Sequence, residues 1–270
     1  MPAEPTEKHK DLVREEFTRQ APAYADAPVI KDPLHLQKLL DQVKPAGDAR
    51  VLEIATGPGH VALAFARVCR EVVGVDLTEA PLKIAERMRA ERGISNARFM
   101  QGDVEAKLPF ADGEFDAVIC RFAVHHFEHP EKVLAEMSRL CRAGGTIAVE
   151  DLISSEHPER AAYYNRYEQL RDSSHTRALP LSELLRTMAS VGLEIVRFSS
   201  DGLTNPVERW FDTGFTPADK RAEALAMIER DLAEDLTGAN PRRVEGQLYF
   251  THRTAIVIAR KLPPASPPSS

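Results

Sequence analysis

The sequence predicts an α/β fold of Rossmann-like type, a mostly parallel sheet with helices on both faces, and three observations carry that reading. Val51, Leu52 and Ile54 form a short β-type run, Gly57 and Gly59 follow as a turn, and Val61 to Val68 resumes with helical spacing, giving strand, glycine turn and helix. A second apolar run, Glu71 to Val75, ends at Asp76, about 20 residues beyond the turn. Phe115 to Cys120 is almost continuously apolar, as a central parallel strand covered on both faces should be.

The elements follow in order. Residues 1 to about 45 read as helices: Leu12, Val13 and Phe17 lie at helical spacing, and Leu34, Leu36, Leu39 and Leu40 mark a second segment before a stop at Pro45-Ala-Gly47. After the first two strands, Ala97 onward gives a third strand ending in Gly102-Asp103. Arg121 to Phe127 then crosses the top of the sheet beyond the fourth strand, and Thr146 to Glu150 is a fifth. Between it and a strand at Leu193 to Phe198 lies an insertion, roughly 152–190, with helix-like Arg160 to Leu170 and Leu181 to Ser190. A second insertion, 204–245, precedes the last strand, Gln247 to Ala259. The tail from Pro263 to Ser270 is expected to be a disordered end.

Glycine suits the first turn because the backbone must adopt angles closed to other residues and because a Cβ would hold a ligand away from the main chain. Asp76 can accept both ribose hydroxyls there. Gly57-x-Gly59-x-x-Ala62 also fits the dinucleotide fingerprint, so the glycines alone leave NAD and other adenosine cofactors open. Glu53, at the end of the first strand, favours S-adenosylmethionine: a carboxylate suits its amino group and sulfonium and repels a pyrophosphate. The plainer reading of Glu53 is a solvated strand end. Asp103 and Val104, again at a strand's carboxyl end, are the expected adenine contacts, side chain to the amino group and backbone NH to the ring nitrogen.

The segments E-I-A-T-G-P-G, V-V-G-V-D, Gly-Asp, F-D-A-V-I-C, H-H-F-E-H-P and L-C-R-A-G-G-T-I-A-V-E-D, in this order from about Val51 to Val149, resemble the class I S-adenosylmethionine-dependent methyltransferases. Within them the likeness is to the group that includes the ubiquinone and menaquinone C-methyltransferases (methyltransferase type 11). R-D-S-S-H at Arg171 to His175 and F-T-P-A-D at Phe215 to Asp219 look like stretches of less characterised bacterial members. The resemblance implies a seven-stranded sheet with an antiparallel last strand, a helical lid over residues 1–45 and a cofactor-binding domain over 46–262. It implies S-adenosylmethionine as cofactor, S-adenosylhomocysteine as product, and contacts from Glu53, Ala55, Gly57, Gly59, Asp76, Leu77, Gly102, Asp103, Val104 and Arg121. Ala55 departs from the family's usual glycine; one added methyl should tighten the turn slightly and leave binding intact. The lid makes Phe17, Gln20 and Tyr24 candidates for the cofactor's cover, unless Phe17 and Tyr24 only pin it to the core.

Composition agrees with an enzyme of this size. A chain of 270 residues can bury roughly three quarters of its unfolded surface. Cys69, Cys120 and Cys141 lack metal-type spacing and read as buried thiols of a reducing, cytoplasmic compartment. The start has no apolar signal core, and no run of about 18 apolar residues occurs, so no membrane span is expected. A net charge of -6 disfavours nucleic acid as a substrate, and the resemblance implies a small-molecule acceptor as the partner. Oligomeric state is not legible.

Methyl transfer is an in-line displacement in which positioning can supply roughly 7–11 kcal/mol and a general base about 10² to 10⁴ in rate. The candidate bases are His125, His126 and Asp151, all expected at the crevice mouth. Their plainer readings are a cap for the helix starting near Pro130, packing on the sheet, and a strand-end turn. His125, His126 and His129 lack the spacing of a metal site, so none is assigned. Tyr24, Arg171, His175 and Trp210 are the candidate acceptor contacts, with Asp172 beside them; a surface ion pair, a capping histidine and core packing are the plainer alternatives. Two further functions stay open: a cofactor-binding regulatory protein without transfer, and an NAD-dependent oxidoreductase, although no Tyr-x-x-x-Lys pair is present.

Overall fold

Strand pairing follows the apolar pattern closely. In a computed structural model, which describes residues 7–263, the chain begins with α1 (Glu7–Asp26), α2 (Pro28–Lys31) and α3 (Pro33–Val43). The core then alternates: β1 (Arg50–Ile54), α4 (His60–Phe65), β2 (Glu71–Asp76), α5 (Glu79–Glu91), β3 (Ala97–Gln101), β4 (Phe115–Arg121), α6 (Pro130–Leu140) and β5 (Cys141–Ser154). There follow α7 (Pro158–Arg171), β6 (Leu179–Pro180), α8 (Leu181–Ser190), β7 (Leu193–Pro206), α9 (Val207–Gly214), α10 (Ala218–Glu234), β8 (Arg242–Val244) and β9 (Gln247–Lys261). The first six residues and the tail from residue 264, where the disordered end was expected, lie outside the described residues.

The main sheet runs β3-β2-β1-β4-β5-β9-β7, with short β6 beside β5 and β8 beside β9. β1 to β5 are mutually parallel, whereas β9 is antiparallel to both neighbours, as the resemblance implied. β7 continues to Pro206, well past Phe198, where the sequence reading ended it. Most of its residues are exposed and do not alternate, so only the ladder to β9 reveals its length.

Side-chain alternation divides the core between the sheet's two faces. Leu52, Val73 and Val118 pack with Leu134 and Met137 of α6, while Val51, Val72 and Ile119 pack with Leu39 of α3 and Leu63 of α4. Leu34 is the exception to the predicted leucine stripe. It is 80% exposed, because it sits in the first turn of α3, which begins at Pro33 with the Asp32 side chain accepting from the Leu34 amide. A third apolar cluster, including Tyr167, Phe211 and Phe250, joins α7, α9 and β9. All three cysteines are buried and free.

The glycine turn after β1 is the tightest part of this frame. Gly57 and Gly59 have φ of 53° and 78°, and a Cβ on Gly59 would come within 2.7 Å of Phe99 Cζ and 2.9 Å of Ala85 Cβ. Ala55 is itself left-handed, with φ 49°, where alanine is strained. Gly59→Ala should therefore lose about 2–4 kcal/mol from backbone strain plus overpacking, and Ala55→Gly should gain about 0.5–1 kcal/mol once glycine's entropy is deducted. Denaturant unfolding of the two variants checks both signs.

Candidate active site

The carboxyl ends of β1 to β4 open onto a cleft of about 900 Å³, counting its open mouth, at the point where strand order reverses between β1 and β4. Gly57 lies on one side of it and a single face of α1, carrying Lys10, Val13, Phe17 and Tyr24, lies on the other. His60 Nε2 meets the Ala25 carbonyl at 2.9 Å and helps hold α1 there.

Glu53 is buried at the cleft floor and is not a solvated strand end. Its Oε2 accepts from Thr56 Oγ1 at 2.5 Å and from the Ala62 amide at 2.9 Å. Burial outweighs those bonds and pushes its carboxyl up to about 8. Asp76 accepts from the Gly57 and Thr78 amides, each at 2.8 Å, so the same carboxylate that faces the cleft fixes the glycine turn. Burial raises it to about 6. Asp103 accepts from Lys10 Nζ at 2.5 Å and from the Glu105 amide at 2.9 Å, so the expected adenine acceptor is met by a lysine of α1.

Ala55, Leu77, Val104 and Arg121 also line this cleft. The Arg121 guanidinium, however, is directed away from ligand duty. Nε donates to Glu150 at 2.9 Å, and Nη1 and Nη2 donate to the Ile30 and Val29 carbonyls at 2.9 and 3.1 Å, so Arg121 ties α2 to the sheet. Gly59 and Gly102 stand behind the lining. Gly59 packs on Phe99, and a Cβ on Gly102 would meet Val75 Cγ1 at 2.9 Å and Leu108 Cδ2 at 3.0 Å.

The loop after β4 is organised by Asp151. Its carboxylate accepts from the Ala123, Val124 and Leu152 amides at 3.2, 2.5 and 2.6 Å and bonds His125 Nδ1. With its oxygens so occupied, Asp151 is an orienting group rather than the free base the sequence suggested. Burial opposes charge on His125, but the charge and hydrogen bond of Asp151 prevail and raise its pKa. His126 differs from its neighbour. Nδ1 lies 3.1 Å from the Ser174 carbonyl and 3.2 Å from Ser174 Oγ, whose own proton goes to Asp172 Oδ1 at 2.5 Å. Nδ1 therefore carries the hydrogen, and Nε2 is left with a free lone pair. Burial, with the nearby His125 charge, lowers His126 to about 4. Neither histidine caps α6; His129 holds that position.

A second, larger cleft of about 1810 Å³, counting its open mouth, lies between α1, the 152–190 insertion and β7. Both clefts share Phe17, Tyr24, Ile30, Phe122 and His126, which form a collar where they join. Gln20, expected at the first cleft, borders the second. Arg171, His175 and Trp210 border it too, each already held: Arg171 Nη1 donates to Asp172 Oδ2 at 3.1 Å, His175 Nε2 meets Asn165 Oδ1 at 2.8 Å, and Trp210 stacks edge-on to Phe250 at 5.0 Å. Burial depresses the His175 pKa strongly. Sequence reasoning missed Glu168 and His252, both on this cleft. A signal existed: His252 continues the inward series Leu248, Phe250 of β9, and Glu168 follows Tyr164 by one helical turn on the buried side of α7. Among the described residues there is no group of three or more metal-ligating side chains and no helix long and apolar enough to cross a membrane.

A glycine-turn cleft on a mostly parallel sheet, joined to a second cleft through a histidine-bearing collar, defines a Rossmann-like enzyme. Residues 52–149 match the family described as "Methyltransferase domain". The chain is 32% identical over 212 residues to "Uncharacterized methyltransferase YcgJ" of Bacillus subtilis (strain 168), covering 78% of this chain and 83% of that one. The crystal structure of YcgJ superposes with a TM-score of 0.78 at 29% identity, covering 84% of this chain and 98% of that one. "Ubiquinone/menaquinone biosynthesis C-methyltransferase UbiE" of Pseudomonas entomophila (strain L48) is 33% identical over 122 residues, 44% of this chain and 47% of that one. The chain belongs to this methyltransferase family.

The buried carboxyls make stability depend on pH. Glu53 and Glu168, raised by burial to about 8 and about 7, stabilise the folded chain while protonated and lose that contribution as pH rises through those values. Above 6.5 the buried neutral His126 and His252 add no opposing slope, since both are lowered. The unfolding free energy should fall between pH 6.5 and 8, and Glu53→Gln should flatten the slope in denaturant titrations across that range.

Proposed function

We propose that the protein transfers the methyl group of S-adenosylmethionine to a small, neutral, aromatic or quinone-like acceptor. The observation that carries this reading is the collar: two clefts of different character meet at His126, which lines both and keeps a lone pair on Nε2. Bound in the first cleft, the cofactor would supply an electrophilic methyl on a sulfonium sulfur. The residues present fit it. The buried Glu53 carboxyl would receive the amino group, Asp76 the ribose hydroxyls through the lone pairs left by Gly57 and Thr78, and Asp103 with the Val104 amide the adenine edge, Lys10 giving way. Gly57, left-handed and without a side chain, lets the ligand reach the main chain.

Phe17, Tyr24 and Phe122 of the collar exclude water and hold the reactants in line. His126 is a weak base at about 4. That suits an acceptor whose proton becomes strongly acidic only as the new bond forms, such as a ring carbon or a phenolic oxygen. The likeness to a C-methyltransferase of quinone biosynthesis favours the same acceptor class.

Calorimetry with S-adenosylmethionine, S-adenosylhomocysteine and NAD as control tests the cofactor. Micromolar binding of the sulfur cofactors is expected, and binding of NAD alone would overturn the reading. Asp76→Ala should weaken cofactor binding by about 1.5–3 kcal/mol. His126→Ala should instead lower the transfer rate at unchanged cofactor affinity; a fully active variant would remove the base.

A further inference from the structure

We propose that Glu168 recognises the acceptor in the second cleft by taking a hydrogen bond from a hydroxyl group that the acceptor carries, an inference that rests on the acceptor reading of that cleft. Glu168 is 3% exposed, yet it lines the cleft. Its Oε1 has no hydrogen bond. His252 Nδ1 lies 3.3 Å away but also meets the Tyr164 hydroxyl at 2.7 Å, and that same hydroxyl acts on the Glu168 carboxyl. The one Tyr164 proton lies between two acceptors, His252 Nδ1 and the Glu168 carboxyl, and no donor meets Oε1 at hydrogen-bond geometry. A carboxyl oxygen buried without a donor destabilises a fold, so packing gives no reason to keep one here.

The surroundings select what Oε1 can receive. Arg171 and His125 act on Glu168 with positive charge and the Tyr164 hydroxyl also favours its charged form, opposed by Asp172, while neutral His252 stands against it. Arg171 directs Nη1 to Asp172 and Nε to the Trp210 carbonyl at 3.3 Å, so it contributes field without bonding. An ammonium brought to Oε1 would face the Arg171 and His125 charges; a hydroxyl faces no such repulsion. Burial holds the Glu168 carboxyl at about 7, so near neutrality it can still accept. Leu152, Leu203 and Trp210 line the same cleft and offer apolar surface to a ring bearing that hydroxyl.

Three para-substituted benzenes separate the options: hydroquinone, 1,4-dimethoxybenzene and 4-methoxybenzylamine, titrated by calorimetry into the protein with and without S-adenosylhomocysteine. Hydroquinone should bind about tenfold or more tightly than the dimethoxy compound. Glu168→Leu should erase that preference by weakening hydroquinone alone, and the near-isosteric Glu168→Gln should weaken it less. Both variants should melt no lower than the parent, since a buried unsatisfied carboxyl is gone, whereas a merely structural role would lower both. Failure of hydroquinone to bind, an unchanged preference in both variants, or tightest binding of the methoxybenzylamine would overturn the proposal. S-adenosylhomocysteine affinity is read in the same titrations, so a failed cofactor site is told apart from a failed Glu168.

Discussion

The junction of the two clefts depends on one carboxylate. Asp151, near the end of β5, gathers the Ala123, Val124 and Leu152 amides and the His125 ring. All but the Leu152 amide, which is β5's own, belong to a loop that leaves β4 through Phe122 in a left-handed conformation, φ 52°. An irregular buried loop is stable only if its polar groups find partners, and here one side chain takes two backbone amides and a ring nitrogen, while backbone carbonyls take the Phe122, His126 and Phe127 amides. The position of His126 follows from that of His125, and the collar from both.

Beside it, Glu150 and Arg121 form an ion pair buried on both sides. Isolating two charges from water costs more than their attraction returns unless further hydrogen bonds complete the set. The Val29 and Ile30 carbonyls complete it. The pair therefore fastens the N-terminal helices to the strand next to the cleft, and neighbouring residues of β5 hold opposite sides of the same opening.

Local pattern made the scaffold legible. The glycine turn, Asp76 and the apolar strands all express themselves within a few residues of sequence, where periodicity and backbone demands act. What could not be read is competition for partners. Arg121 looks like a ligand contact until Glu150 and two distant carbonyls claim its donors, and Asp151 looks like a base until four donors saturate it. Glu168 and His252 meet across 84 positions of chain, and nothing in either neighbourhood names the other. The strained Ala55 was visible as a missing glycine, but its left-handed backbone was not.

The contact of Lys10 with Asp103 lies at a partly open edge, its side chains 14% and 26% exposed. Charges at such a place feel dissolved ions, whose screening length is about 8 Å at physiological ionic strength and about 3 Å in molar salt. The buried Arg121 anchor feels them far less. The N-terminal helices are thus fastened at one salt-insensitive point and at one salt-sensitive point, so dissolved ions weigh on the fastening beside Asp103 and hardly on the one at Arg121.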